Sequence, residues 1–481
     1  MSGNPMRKLP MAAMIYATGD VLIKATNLLL LPILTRFLTP EDFGILASVT
    51  AFSAVLSLCL QLGLTNSLMR FYPDSTDDNE RKQLVSTVVL FTAAWALLIV
   101  LVLNLLGGAL LDHIFTNVRF DPYLRIGTWL ALILTFNALP LTVLQMQQRP
   151  MLHRAFSLAG FLANVVFMLV FVVALRMGAT GGLMAQLAGA AVTAIPSLFF
   201  LRRHVNFSMA RNTLKTCLIF SLPLVLYALG GWVMDTSNRI FIERYVGLAE
   251  LGLFNIGSQF AMILGFVLGA IGLALTPLFY EAARLDDAPE VLARFGLRYI
   301  ACTLGLGLIV SVFSREAIQV FTQPAFHSAY HVVPILTATH ALTGVWHLVV
   351  FPVMLKRKTG TLAGIMAVVA GLTFGLNLWL IPSYGIIGAA LSPLIANLLL
   401  NLMVFSVSIR LYRIPYNYGR MGLVLLAAIG VYLAADWVAT NDLVISMVAK
   451  TLILAVYPGL LFRLGIVDRS NLSGILRLAP K

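Results

Sequence analysis

Charge is what this chain has least of. Only 11% of its 481 residues are Asp, Glu, Lys or Arg, where globular domains carry about 25%. A soluble enzyme needs that charge to coat its surface, and a disordered chain needs it to stay solvated; both are excluded. Cysteine is nearly absent as well. Cys59, Cys217 and Cys302 stand far apart, each within an apolar run. They cannot frame a secreted disulfide scaffold and read as small apolar residues packed among helices. Catalytic signatures are missing too: there is no GxxxxGK[ST] loop, no HExxH and no GxSxG. No nucleotide engine, zinc protease or nucleophile-elbow hydrolase of those kinds is encoded. The first apolar run is interrupted by Asp20 and Lys24, which a cleaved signal peptide would not carry in its apolar core. That span is expected to be retained.

What the chain has in abundance is apolar length. Hydrophobic residues make up 59% of it, and its mean hydropathy is +0.91. Runs of spanning length, roughly 20 residues each, fall at about 11–34, 44–68, 83–107, 123–144, 155–175, 179–201, 217–238, 250–280, 297–322, 331–354, 359–381, 385–409, 419–437 and 442–462. Lipid admits only helices or closed barrels, and these runs are too long and continuous for barrel strands. The expectation is an all-α polytopic membrane protein of about 14 transmembrane helices.

The net charge of +13 is not gathered into a patch or stripe, which argues against a nucleic-acid partner. It lies in short loops. Of the 33 Lys and Arg, 24 fall in the N-terminal segment and every second loop after it, and 7 in the alternate loops. That bias places both termini in the cytoplasm. The longest segment on the other side, about 108–122, has some fifteen residues, too few to fold over a sugar acceptor.

An internal repeat runs through the chain. Residues 36–46, RFLTPEDFGIL, align without gaps to 244–254, RYVGLAELGLF, matching Arg36 with Arg244 and Gly44 with Gly252. The same spacing of 208 pairs Phe71-Tyr72 with Phe279-Tyr280 and Gln148-Arg149-Pro150 with Lys356-Arg357-Lys358. One residue of slippage then pairs Gly178 and Gly181 with Gly385 and Gly388. The expected organisation is a six-helix lobe at 1–205, a second at 206–412, and an additional two-helix hairpin with a cytoplasmic tail at 413–481. Six is even, so both lobes enter the membrane in the same sense. Such parallel repeats are common in transporters.

Ionisable residues inside spans are functional candidates, because lipid makes them costly. Asp20, Lys24 and Asn27 sit at i, i+4 and i+7 in the first run, on one helical face. They read either as cavity-lining groups or as a self-neutralising pair. Asp235, Arg239 and Glu243 form an expected i, i+4, i+8 stripe at the end of the seventh run. It reads either as part of the same cavity or as an ion-pair ladder at a helix end. His327 and His331 are an i, i+4 pair without a clear third ligand, so no metal is expected. His340, near the middle of its run, is a candidate proton carrier or a packing residue. Lys450, in the last run, reads first as a side chain snorkelling to the interface.

Several stretches resemble a known family. The run from Lys24 through Asn27-LLLLPILTRFLTPEDFG to Gly44, then QLGLTNSLMRFY, is similar to the opening of Wzx-type polysaccharide flippases, of the superfamily that also holds MATE exporters and lipid II flippases. SLPLVLYALGGWVMDTSNRIFIERYVGLAELGLFNIGSQF (221–260), the segment from Tyr330 through HVVPIL, and NLWLIPSYGIIGAAL (377–391) continue the likeness in order. It implies a V-shaped bundle of two six-helix lobes. The implied cargo is an undecaprenyl-diphosphate-linked oligosaccharide, moved from the cytoplasmic to the periplasmic leaflet of the bacterial inner membrane by alternating access. Under it, Lys24 and Arg239 are the candidates for the diphosphate, with Asn27 lining the cavity and Arg36 as an outer guide. Arg suits phosphate through its bidentate fork, while Lys acts as a point charge. Asp20, Asp235 and His340 would carry a coupling ion, H⁺ or Na⁺, or balance charge, and Lys450 would sit at a groove for the lipid tail. No cofactor is expected. Expected partners are membrane lipids, the lipid-linked oligosaccharide, and a polysaccharide polymerase and chain-length regulator. Rival readings are a MATE-like exporter of organic cations, a membrane polymerase or ligase, and a non-transporting scaffold subunit of a glycan assembly complex.

Overall fold

The computed structural model describes residues 26–466, apart from 27, 76, 207, 439 and 441 and the side chains of 273, 274, 276, 277 and 359. The described chain is helical throughout. In order run α1 (Pro40–Gln61), α2 (Leu64–Phe71), α3 (Asp78–Leu111), α4 (Arg125–Met146), α5 (Pro150–Met168), α6 (Gly178–Arg202), α7 (Arg211–Asp235) and α8 (Asn238–Tyr245). They are followed by α9 (Leu248–Ala282), α10 (Ala288–Val312), α11 (Ser314–Phe321), a 3₁₀ helix at Pro324–Val332, α12 (Val333–Leu355), α13 (Thr359–Leu411), α14 (Tyr418–Trp437) and α15 (Leu443–Arg463).

Twelve helical segments among the described residues are long and apolar enough to cross a membrane. One of these, Gly360–Leu411, has 52 residues, roughly 78 Å at 1.5 Å per residue against a hydrocarbon core of about 30 Å. It kinks at Gly385, where φ is 57° and ψ is −137°, and so holds the two runs expected at 359–381 and 385–409. The first expected run, 11–34, lies mostly outside the described residues. Other boundaries shift. The run expected at 297–322 is α10 followed by the separate α11, and the one at 44–68 breaks where Leu62 and Gly63 both take positive φ.

The chain packs into two compact units, Met1–Asn255 with Thr373–Ala389, and Ile256–Leu372 with Ala390–Lys481. In the first unit α1 is central, with 72% of its apolar window buried, whereas α5 and α7 bury only 17%. Helices that are apolar yet uncovered present the surface that lipid would cover. In the second unit α14 and α15 dock on α10 through Val424, Val431, Tyr457 and Leu461 against Leu297, Ala301 and Leu308. The Tyr457 hydroxyl donates to the Ala301 carbonyl at 2.9 Å.

The repeat is written into the backbone. Gly44 and Gly252, paired by sequence, face reciprocal surfaces: a Cβ on Gly44 would stand 2.0 Å from the Leu248 carbonyl oxygen, and one on Gly252 1.9 Å from that of Pro40. Residues 40 and 44 therefore meet 248 and 252 as two-fold mates, and only glycine lets the starts of α1 and α9 approach so closely. Thr39 caps α1. Its hydroxyl accepts from the Asp42 amide at 3.2 Å, while Asp42 Oδ2 accepts from the Thr39 amide at 2.9 Å, a reciprocal capping box with Pro40 at the first turn. The other Asp42 oxygen accepts from the Ala179 amide at 3.0 Å, which ties the motif to the start of α6.

Two turns repeat as well. Gln148 and Arg357 have φ of 54° and 55°. The following residues, Arg149 and Lys358, each donate back five residues, to Leu144 and Val353, at 3.0 Å. The register here is 209, one more than the alignment gives, whereas the next pair, Gly178 and Gly385, stands at 207. Gly178 and Gly385 both have φ of 57°, and Gly181 and Gly388 lie against the carbonyls of Phe171 and Leu380.

Candidate functional site

The expected stripe Asp235–Arg239–Glu243 does not lie on one helix. Thr236, at φ −131° and ψ −26°, ends α7 at Asp235, and α8 restarts at Asn238. Asp235 is exposed and Arg239 half-buried; one Arg239 guanidinium nitrogen donates to the Asp235 backbone carbonyl at 3.3 Å. The helix break turns Ser237 and Asn238 inward. The Asn377 side-chain amide donates to Ser237 Oγ at 3.0 Å, and that of Asn238 to the Ala389 carbonyl at 3.4 Å. Asn377 precedes the Gly385 kink and Ala389 follows it, so the kink brings both to α8. The side-chain oxygens of Asn238 and Asn377 are buried without a hydrogen-bond partner.

Glu243 leaves the stripe entirely. Its side chain is fully buried, and Oε1 accepts from the backbone amides of Asn117 and Val118, the latter at 3.1 Å. The Asn117 side chain donates back to the Glu243 carbonyl, and Arg244 donates to the His113 carbonyl at 3.2 Å. The expected ion-pair ladder is replaced by a clamp between α8 and the loop after α3. Burial pushes the Glu243 carboxyl above its ordinary pKa, and the amide bonds offset only part of that rise.

Lys450 does not snorkel. It is 3% exposed, its ammonium pairs with Glu316 Oε1 at 2.7 Å, and it donates to the Val312 carbonyl at 3.0 Å. Ser446, one turn earlier on α15, also donates to Glu316 Oε1, at 2.6 Å. Glu316 begins α11, between two spans. Burial raises its pKa, but the hydrogen bonds from Lys450 and Ser446 outweigh burial and hold it below the ordinary carboxylate range. Sequence reasoning missed Glu316. The available signal was Lys450 itself, since a cation within an apolar run calls for an acidic mate.

The remaining candidates are dispersed. Arg36 is exposed just before the α1 cap. His340 packs against Gly265, where a Cβ would stand 2.9 Å from its Nδ1, and His347 fills the equivalent space at Gly272. His327 and His331 lie in the 3₁₀ helix. At three residues per turn an i, i+4 pair there diverges by about a third of a turn, which splits the face their spacing suggested. Asp20, Lys24 and Asn27 lie outside the described residues.

Comparison with known proteins supplies the family. The model of a family described as "Polysaccharide biosynthesis protein" matches residues 12–283, more than half of the chain. Two Haemophilus influenzae relatives, a protein of the Lsg locus and an uncharacterized membrane protein, are each 22% identical over 56% of this chain. The matches span 66% and 64% of those relatives' own length, less than two thirds. Among solved structures, the lipid II flippase MurJ in an inward closed conformation superposes with a TM-score of 0.73 at 11% identity, over 94% of this chain and 99% of that one. An inward-facing multidrug resistance MATE transporter of the MOP superfamily gives 0.62 at 14% identity, over 84% and 99%. The chain therefore belongs to the polysaccharide biosynthesis protein family, with twelve candidate membrane-crossing helices among its described residues and a fold like that of MurJ and MATE proteins.

Proposed function

We propose that this protein is a flippase that carries undecaprenyl-diphosphate-linked oligosaccharide repeat units from the cytoplasmic to the periplasmic leaflet of the bacterial inner membrane, by alternating access, for surface or exopolysaccharide synthesis. The reading rests on one conjunction: a polysaccharide-biosynthesis family match on a chain whose fold follows that of a lipid flippase over 94% of its length. A cargo that is both saccharide and lipid satisfies both. In this reading the lobes are 1–205 and 206–412, the hairpin 413–481 is an addition, and both termini are cytoplasmic. Lys24 and Arg239 hold the diphosphate, Asn27 and Arg36 line its path, and Lys450 stands at the lipid-tail groove. A polymerase and a chain-length regulator receive the product.

The coupling ion is H⁺ or Na⁺, with Asp20, Asp235 and His340 as carriers or charge balance. The neutral oxygens at the helix break that follows Asp235 favour Na⁺. Asn238 Oδ1 and Asn377 Oδ1 are unpartnered and buried beside Ser237 Oγ and the Ala389 carbonyl, and hard cations take such oxygen ligands, while amide oxygens do not titrate.

The test is leaflet translocation in proteoliposomes with a purified diphosphate-linked oligosaccharide lipid, under imposed Na⁺ or H⁺ gradients. Wild-type flipping that is lost in folded Lys24→Ala and Arg239→Ala supports the reading and its diphosphate site. Flipping that survives both keeps the function and removes those residues from it. Absence of flipping by folded wild type, across several sugars and both gradients, sinks the reading in favour of an organic-cation exporter or a scaffold. The exporter also has a structural likeness behind it, at a TM-score of 0.62.

A further inference from the structure

The second unit contains a polar cavity whose lining includes Lys450, the residue placed above at the lipid-tail groove, and whose other walls the transport reading leaves without a role. Its volume is about 210 Å³, and Ser314, Arg315, Tyr330, Tyr432, Asp436 and Lys450 line it. That is far more than the ~10–15 Å³ one water needs. Its position along the helices is informative. Val312, also in the lining, closes one candidate span and Trp437 closes another, and Tyr330 lies in the 3₁₀ turn that opens a third. Trp437 is 88% exposed, and tryptophans of that kind sit at the membrane–water boundary. The cavity wall thus includes an exposed Asp436 beside the boundary residue Trp437 and a buried Lys450, about 10 Å along α15 from its start.

The chemistry of the walls is two-signed. An ammonium has three donors. Lys450 gives one to Glu316 and one to the Val312 carbonyl, which leaves a third on a residue that lines the cavity. Arg315 lies over the Tyr330 ring, 5.9 Å from its centroid, and contributes a planar fork suited to phosphate oxygens. Asp436 stands one helical turn after Tyr432 and is exposed. An anion alone would meet Lys450 and Arg315 but be repelled by Asp436; a cation alone would meet the reverse. A ligand carrying phosphate and a primary ammonium a few bonds apart satisfies both ends.

We infer that this cavity binds a phosphoethanolamine-type zwitterion, supplied as the headgroup of a membrane phospholipid, with phosphate toward Lys450 and Arg315 and ammonium toward Asp436. The ammonium donates hydrogen bonds to the Asp436 carboxylate, which a choline group cannot. A glycerol headgroup brings no cation and leaves Asp436 facing the phosphate. Phosphatidylethanolamine is therefore preferred over phosphatidylglycerol and phosphatidylcholine.

The experiment is native mass spectrometry of the purified full chain with the three lipids at matched acyl chains, and in a separate arm with soluble glycerophosphoethanolamine as competitor. Wild type retains phosphatidylethanolamine over phosphatidylglycerol by about tenfold, the value of one charged hydrogen bond. Asp436→Asn removes that preference while phosphatidylglycerol still binds, and Arg315→Gln weakens retention of both. Asp436 is exposed and Arg315 only half-buried, so both variants fold, which an unfolding temperature close to wild type verifies. Equal retention of the three lipids by wild type, or a preference that survives both substitutions, overturns the proposal. Displacement of the lipid by the soluble headgroup at equal concentration overturns its lipid source. Because the readout is retention and not transport, the outcome is independent of whether the chain flips anything.

Discussion

Glu243 and Glu316 occupy comparable places and solve the same problem in opposite ways. Each lies in an eight-residue helix, α8 or α11, that follows a long span. Each is almost wholly buried, at 0% and 3% exposure, with one oxygen unpartnered. Glu243 is met by backbone amides of a neighbouring loop, Glu316 by an ammonium and a hydroxyl. The amides lower the cost of charge only partly, so the Glu243 carboxyl shifts up; the ammonium more than offsets it, so that of Glu316 shifts down. Burial alone does not decide how a carboxylate behaves. The charge of its partner does.

The sharpest way to break this contrast is to remove the ammonium. Lys450→Met strands Glu316 as a buried, unpaired charge and is expected to cost about 3–5 kcal/mol, read as a drop in unfolding midpoint in detergent. Glu316→Gln added to Lys450→Met restores most of the loss, because no lone charge remains. A double variant no more stable than the single would mean that α15 is held by something other than the pair. Glu243→Ala comes next. It leaves two loop amides without an acceptor and costs about 1–3 kcal/mol, with faster hydrogen exchange at Asn117 and Val118 as the local signature.

Smaller effects separate the two sites further. Glu243→Gln keeps an oxygen for the amides and has no cation to abandon, so its effect at pH 7 stays within about 1 kcal/mol. The matching Glu316→Gln weakens a charged pair and costs more. The pH profiles of these two variants, each subtracted from wild type, run in opposite directions. A carboxyl with a raised folded pKa stabilises below its unfolded value of about 4.3. The Glu243 contribution is therefore present in acid and fades as pH rises through its folded value. The Glu316 contribution is present above about 4.3 and fades as pH falls through its lowered value. Unfolding midpoints between pH 3 and 8 give the two slopes, and equal slopes would erase the distinction.

Much of this was legible in the residues. Gly44 and Gly252 were matched by sequence, and they meet across reciprocal helix starts because a repeated motif repeats its steric demands. Gly178 and Gly385 were matched too, and both take the positive φ that ends one span and starts the next. The Asp235–Arg239–Glu243 stripe failed because helical spacing presumes an unbroken helix, and Thr236 breaks it. Lys450 looked as if it should reach for water because the sequence does not show which distant residue lies alongside; Glu316, 134 positions earlier, does.

Composition and periodicity determined that this chain is helical, membrane-spanning and internally repeated, since those properties depend on local hydrophobicity and spacing, which the sequence carries directly. Pairing of charges was decided only by the tertiary structure. A buried carboxylate gains or loses its proton according to what packs against it. That neighbour comes from a distant part of the chain: the loop after α3 for Glu243, and for Glu316 a hairpin whose docking depends on shape as well as on pattern.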